Sequence, residues 1–478
     1  MTAQIAYLQP VFNQQNPLRQ LFTKQQSAFA LNPMPSVAQR RQWLAALRQV
    51  LVREQQALAE AIKSDFGQRS LDETRLAELL PCLQAIESTS DQLKSWMKPS
   101  RRKVSILFQP AKARVEYQPL GVVGVIVPWN YPVFLAMGPL VGALAAGNRV
   151  MLKISEATPA TGELLKTLLA TIFPEDLVAV VLGDVKTGVS FSHLPFDHLL
   201  FTGSAQTGKQ VMRAAAQNLT PVTLELGGKS PVIIGRDAPM AQAAARIAFG
   251  KALNAGQTCV APDYVLVPRT RVDEFVSAYR DAMHRMYPTT LGNPDYTHII
   301  DQRQFQRLNR YLEDASTKGA NIIALYPLEQ HRGRCIPPNV LLNVTDDMKV
   351  MQEEIFGPLL PIVPYDDFDD AVNYINARPR PLALYYFGHN KAEQRRIQSH
   401  TRSGGICLND TLLQVAQDNL PFGGIGPSGM GQYHGFEGFQ TFSKARSVLS
   451  KSRFNPASFI YPPYGKATLR LLYRLFIR

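Results

Sequence analysis

The sequence predicts an α/β protein built from two doubly wound domains, and three observations point there. The chain has 478 residues, too many for one simple core. From about residue 115 to 235, short apolar runs alternate with helix-like periodicity, the pattern of parallel crossover units. A second alternating stretch follows to about 415 and needs a core of its own.

Taken in order, residues 36–64 read as one long amphipathic helix. Ser36 and Gln39 have capping-box spacing, and Trp43, Leu47, Val50, Leu51, Leu58 and Ile62 recur at helical intervals. Another helical region covers about 71–98 and is ended by Pro99 and the basic run 101–103. Residues 115–118 and 122–127 read as strands, 132–146 as a helix stopped by Gly147-Asn148, and 149–154 as a strand. The alternation continues with a helix over 164–172, strands at 178–182 and 198–202, a helix over 205–216, and strands at 222–226 and 231–234. An alanine-rich helix then runs from Ala238 to about Ala255, followed by a loop carrying Cys259 and a strand at 264–267. Residues 420–432 are too rich in glycine and proline for a helix.

Composition excludes several function classes. The net charge is +13, yet residues 1–53 hold six basic groups and no acidic one, and 444–478 hold eight and none. The middle is near neutral, so a basic working surface for nucleic acid is not expected. The charged ends read as a solubilising fringe or as tails that touch an acidic surface. Four widely spaced cysteines give neither a disulfide framework nor a zinc site, and fit reduced thiols in a cytoplasmic protein. Residues 1–10 lack a secretory pattern, and no apolar run reaches the roughly 18 residues that span a bilayer.

Certain residues carry chemistry. Cys259 lies in a loop between a helix and an apolar strand, where a thiol serves as a nucleophile or simply as a small buried residue. Glu225 ends an apolar strand just before Gly227-Gly228. Its leucine neighbours predict burial and a raised pKa suited to a base, whereas a surface ion pair is the plainer alternative. Asn130 and Lys153 sit at or past strand ends, one offering an amide donor for an oxyanion and the other a point charge for ribose or phosphate. Residues 201–208 join a strand to a helix with glycines at 203 and 208. That arrangement suits a pyrophosphate at a helix N-terminus or an ordinary turn. No Walker lysine motif and no H-E-x-x-H occur.

Seven segments together resemble the aldehyde dehydrogenase superfamily: Pro128-Trp129-Asn130-Tyr131-Pro132, Lys153-Ile154-Ser155-Glu156, Phe201-Thr202-Gly203-Ser204, Glu225-Leu226-Gly227-Gly228-Lys229, Gly256-Gln257-Thr258-Cys259, Glu353-Glu354-Ile355-Phe356-Gly357-Pro358 and Pro421-Phe422-Gly423-Gly424. They stand in the family's order across about 36–450. The stretch from Asn254 to Tyr264 and residues 405–410 are similar to its class-3 branch of fatty, aromatic and coniferyl aldehyde dehydrogenases.

The resemblance implies aldehyde oxidation to a carboxylic acid with NAD, or with NADP as a second cofactor. It implies Cys259 as nucleophile, Glu225 as water-activating base and Asn130 as oxyanion donor. Lys153 and Glu156 would face the adenosine ribose, Gly203, Ser204 and Gly208 the pyrophosphate, Glu354 the nicotinamide ribose and Phe356 its ring. Ile154 stands where the family usually has proline. The implied domains are 1–224 for N-terminal helices and cofactor binding, 225–418 for catalysis, 419–450 for a return to the first domain, and 451–478 for a basic tail. A β-arm near 110–120 and the segment after 430 would form a homodimer.

Within the tail, Lys466, Arg470, Arg474 and Arg478 recur every four residues among apolar ones. As a helix of about 13 residues it lies on a membrane surface or docks on the partner subunit. Against the oxidative reading stand a cysteine esterase, which leaves the cofactor residues idle, a non-catalytic oligomeric scaffold, and acylating chemistry with coenzyme A. The bulky apolar aldehyde expected of the class-3 branch points to coniferyl-type or medium- to long-chain substrates.

Overall fold

The computed structural model describes residues 16–453, 458 and 460–477. The expectation about residues 1–10 and the last tail cation, Arg478, lie outside them.

One sheet has six strands. Five run parallel in the spatial order Val178–Val181, Arg149–Lys153, Val122–Ile126, His198–Gly203, Val222–Leu226. Gly429–Met430 adds an antiparallel edge, with Gly429 opposite Glu225. The strand that comes first in the chain is central, so the winding reverses between Val122–Ile126 and His198–Gly203, and their carboxyl ends open the crevice where such sheets bind ligands. Its strands are buried on both faces: Val123, Val125 and Leu152 enter one core, and Val122, Met151 and Leu199 the other. Gly124 lets strand and neighbouring loop close up, because a Cβ there would stand 2.6 Å from the Phe196 ring.

The second sheet has seven strands, in the order Asn321–Ala324, Asn339–Leu342, Leu359–Tyr365, Tyr264–Pro268, Pro231–Ile234, Ala383–Phe387, Gly405–Leu408. All are parallel except the first pair. Two doubly wound sheets are therefore present. A third, antiparallel sheet joins Ser100–Arg102, Ala111–Pro119 and Ser443–Lys451, with Ser443 opposite Pro119 and Lys451 opposite Ala111. Its outer strand is largely exposed.

Several elements differ from expectation. The helix over 36–64 is two helices, Val37–Arg53 and Gln55–Phe66, broken at Glu54, whose φ of −101° and ψ of 17° leave the helical range. Ser36 does cap the first, accepting from the Gln39 N–H at 3.2 Å, but the Gln39 side chain turns to Asn32 instead of closing the box. Residues 71–98 contain a π turn at Arg75–Leu79. The alanine-rich helix stops at Ala252, because Asn254 and Ala255 adopt left-handed φ of 53° and 51°. Pro159 starts its helix five residues before expectation. Helices Pro17–Leu31 and Val185–Ser192 were not anticipated. In the tail, the helix covers Ala467–Phe476, shorter than expected.

The Pro17–Leu31 helix is tied to the six-stranded sheet by a buried amide. Gln25 Nε2 donates to the carbonyls of Val150 (3.0 Å) and Glu175 (2.8 Å). Gln25→Ala leaves those buried acceptors short of a donor. Urea unfolding should show a loss of about 1–3 kcal/mol, while an unchanged midpoint would mean the helix is not anchored there.

Candidate active site

Three loops meet at one place. The first, Pro128–Tyr131, leaves the central strand of the six-stranded sheet. Asn130 is buried, and its Nδ2 donates to the Gln257 carbonyl at 3.2 Å, two residues from Cys259. An amide carries two N–H donors, so the second stays uncommitted. Next door, the Tyr131 hydroxyl pairs with Thr258 Oγ1 at 2.7 Å.

The second loop carries Cys259. Its strained left-handed turn at Asn254 and Ala255 is pinned from several sides. The Asn254 N–H donates to Glu73 Oε1 (3.0 Å), and Asn254 Nδ2 donates to the Asn130 carbonyl (3.0 Å). Gln257 Nε2 donates to the carbonyls of Asn254 and His298, both at 3.0 Å, while its Oε1 accepts from the Ile300 N–H. Gly256 (φ 75°) faces the third loop so closely that a Cβ would lie 2.4 Å from the Gly357 carbonyl oxygen.

The third loop is Glu353–Gly357. Asp263 accepts from the Ile355 N–H at 2.9 Å and pairs with Lys229, whose ammonium also donates to the carbonyls of Val350 and Glu353. Arg307 donates to the Ile355 carbonyl at 2.8 Å. The Glu354 carboxylate fills the notch above Gly227, where a Cβ would stand 1.8 Å from Oε2. Phe356 meets the Trp129 ring edge-on at 5.4 Å.

Electrostatics follow from this convergence. Glu225 is buried, with neither carboxylate oxygen hydrogen-bonded, and desolvation pushes its pKa well up. Burial likewise raises Glu354, to about 8, and one of its oxygens is unpartnered. The half-buried Cys259 thiol is pushed up by desolvation, then by the Glu354 and Glu225 carboxylates, against the N–H groups of Cys259 and Val260. Cys259, Glu225, Asn130, Glu354 and Phe356 thus share one site.

Beneath the first two loops lies a cluster that sequence reasoning missed. Arg69, fully buried, pairs with Glu73 (3.4 Å) and Glu78 (3.1 Å) and donates to the Asn130 carbonyl at 3.1 Å. Glu78 Oε2 accepts from the N–H groups of Val133 (2.7 Å) and Phe134 (3.1 Å). The only local signal, Ser70 three residues before Glu73, reads as an ordinary helix cap. Ser70 is indeed that cap.

The remaining expected residues lie around the sheet crevice. Lys153 is buried, and its ammonium donates to the carbonyls of Ile154 (2.7 Å) and Gly183 (2.8 Å). Glu156 is exposed. Ser204 caps the helix Ala205–Ala216 by accepting from the Thr207 N–H at 3.2 Å, and Gly208 lets that helix approach Leu226. At Gly203 a Cβ would strike the Phe201 ring at 2.6 Å. The Thr202 hydroxyl is buried without a partner.

The aldehyde dehydrogenase family model matches residues 14–448. The chain belongs to the aldehyde dehydrogenase family. It is 64% identical, over the whole of both chains, to a probable coniferyl aldehyde dehydrogenase of Pseudomonas aeruginosa. It is 39% identical to aldehyde dehydrogenase family 3 member A2 of Rattus norvegicus, covering 91% of this chain and 92% of the relative, which places it by the class-3 branch. A substrate-bound state of Staphylococcus aureus AldH superimposes with a TM-score of 0.91 at 36% identity, covering 96% of this chain and all of the other. The aldehyde dehydrogenase of Mycobacterium tuberculosis complexed with NAD+ gives 0.83 at 30% identity, covering 91% and 90%. As a member of this family the chain is an oxidoreductase acting on aldehydes.

The carboxylates around Cys259 have a measurable consequence. The pH midpoint of Cys259 alkylation by iodoacetamide should lie above that of free cysteine, since burial and negative charge both disfavour the thiolate. Glu354→Gln should lower the midpoint. A wild-type midpoint at or below that of free cysteine would contradict the electrostatics.

Proposed function

We propose that the chain oxidises aromatic aldehydes of the coniferyl type to carboxylic acids with NAD. The observation that carries this reading is the convergence of Cys259, Glu225 and the Asn130 amide in one buried site. Substrate class is supported by the relative's name as a probable coniferyl aldehyde dehydrogenase, at 64% identity across the full length.

Cys259 attacks the aldehyde carbon, giving a thiohemiacetal whose oxyanion is held by the Asn130 amide and the Cys259 N–H. The carboxyl of Glu225 is held with no hydrogen-bond partner, ready to take a proton from the water that hydrolyses the resulting thioester. Burial raises the Glu225 pKa and so makes its carboxylate a stronger base, and it raises the Cys259 pKa, so the thiol has to give its proton to a base as it attacks.

A dinucleotide fits the crevice. The buried Thr202 hydroxyl and one Glu354 oxygen lack partners, and the helix capped by Ser204 presents its N-terminus there. Lys153 and Glu156 would hold the adenosine ribose, Gly203, Ser204 and Gly208 the pyrophosphate, and Glu354 and Phe356 the nicotinamide end. When bound, the nicotinamide accepts the hydride. The exposed Glu156 carboxylate repels a 2′-phosphate, so NAD is the preferred cofactor and NADP the second.

The homodimer is part of the reading. The arm made by Ala111–Pro119 and Ser443–Lys451 ends on a largely exposed nine-residue outer strand, which suits pairing with a second copy. The tail helix exposes Leu471, Leu475 and Phe476 beside Arg470 and Arg474, and we assign it contact with an anionic membrane surface. Among the described residues no helix is long and apolar enough to cross a membrane.

NADH formation from coniferyl aldehyde should vanish in Cys259→Ala and fall about 100-fold or more in Asn130→Ala. In Glu225→Gln it should fall about 100- to 10,000-fold, with a covalent acyl-enzyme visible by mass spectrometry. Turnover without Cys259, or faster turnover with NADP than with NAD, contradicts the reading. Light scattering should give a dimer. The full chain, unlike one ending at Arg453, should sediment with anionic vesicles.

A further inference from the structure

Two tyrosines that the proposed chemistry does not use hold the turn that carries the nucleophile. The Ala261 N–H donates to the Thr258 carbonyl at 3.0 Å, so Cys259 and Val260 are the two central residues of a tight turn. At the start of the turn, Thr258 Oγ1 pairs with the Tyr131 hydroxyl, which comes from the loop after the strand Val122–Ile126. Toward its end, the Tyr385 hydroxyl donates to the Val260 carbonyl at 2.6 Å.

Tyr385 stands on a rigid base. Its strand, Ala383–Phe387, is paired on both edges, with Val232 opposite it on one side and Cys407 on the other. The ring is fully buried, and the phenol oxygen also accepts from Gln414 Nε2 at 3.2 Å. Its donor and its acceptor are therefore both committed, and the hydroxyl has little freedom to turn away from Val260. The next residue, Tyr386, is equally buried but points to the other face of the sheet, where its hydroxyl meets Glu393 at 2.7 Å.

The turn matters to the sulfur. Desolvation and the carboxylates of Glu354 and Glu225 disfavour the thiolate, and the backbone N–H groups of Cys259 and Val260 oppose them. Both N–H groups belong to the turn itself. A backbone dipole held in place stabilises a developing charge without reorganising, whereas one that swings free does so poorly. We propose that Tyr385 is a positioning residue for catalysis, whose hydroxyl fixes Val260 and thereby keeps the Cys259 and Val260 N–H groups set toward the reacting sulfur and oxyanion. The inference rests on the aldehyde-oxidising reading and adds to it a group that touches neither substrate nor thiol.

Tyr385→Phe removes one oxygen and keeps the ring. With coniferyl aldehyde and NAD, kcat should fall about tenfold, the worth of one buried hydrogen bond, while KM for either stays within about twofold. The pH midpoint of Cys259 alkylation by iodoacetamide should rise by about half a unit or more, since the thiolate loses aligned donors. Tyr386→Phe, the same deletion on the opposite face, should leave kcat and that midpoint unchanged. Wild-type kcat and midpoint in Tyr385→Phe, or equal changes in Tyr386→Phe, overturn the assignment. Alkylation needs no turnover, so it tests the tyrosine independently. A folded wild type that forms no NADH from coniferyl aldehyde overturns the underlying reading instead.

Discussion

The buried ion cluster of Arg69, Glu73 and Glu78 is the constraint on which the site depends. One guanidinium touches two carboxylates and the Asn130 carbonyl, while those carboxylates accept the N–H groups of Asn254, Val133 and Phe134. Three segments far apart in the chain are thereby held to one another by charge-assisted bonds. Phe66 and Tyr131 close over the guanidinium at 5.1 and 5.0 Å, excluding water. Removing Arg69 leaves two buried acids without their counter-charge, worth about 3–5 kcal/mol. The same bonds hold the left-handed turn before Cys259 in a conformation that Asn254 and Ala255 would not keep alone.

A second set of charges fixes the opposite wall. Lys229 and Asp263 hold the Glu353–Gly357 loop, and Lys251 is buried close by, its pKa lowered to about 8 by desolvation. The acidic groups nearest the thiol, Glu225 and Glu354, carry unpartnered oxygens, whereas the acids behind the loops are paired. The acids behind the loops each have a cationic partner, although Glu78 Oε1 accepts no hydrogen bond, whereas Glu225 and Glu354 have no ion pair among the described residues. This division is what a preorganised site requires: rigid support outside and uncommitted polar atoms inside.

Much of this was legible in the sequence, for reasons that differ by element. Strands such as Val222–Leu226 and Pro231–Ile234 were readable to the residue, because apolar runs bounded by proline and glycine admit few alternatives. The Cys259 and Glu225 positions were found because short motifs lie next to strand ends. Helix breaks at Glu54 and Ala252 were not readable, since neither carries proline or glycine and each is set by tertiary contacts. The Arg69 cluster was invisible because its members look like a capped surface helix, and only folding brings Asn130 and Asn254 to them.

Amide hydrogen exchange in Arg69→Met tests the central claim most directly. The turn from Asn254 to Val260 should exchange about tenfold faster or more than in wild type, together with Val133 and Phe134, while the strands of the seven-stranded sheet keep their protection. A folded Arg69→Met protein with unchanged exchange at Asn254, and an undiminished rate of aldehyde oxidation, would show that the buried cluster does not hold the site together.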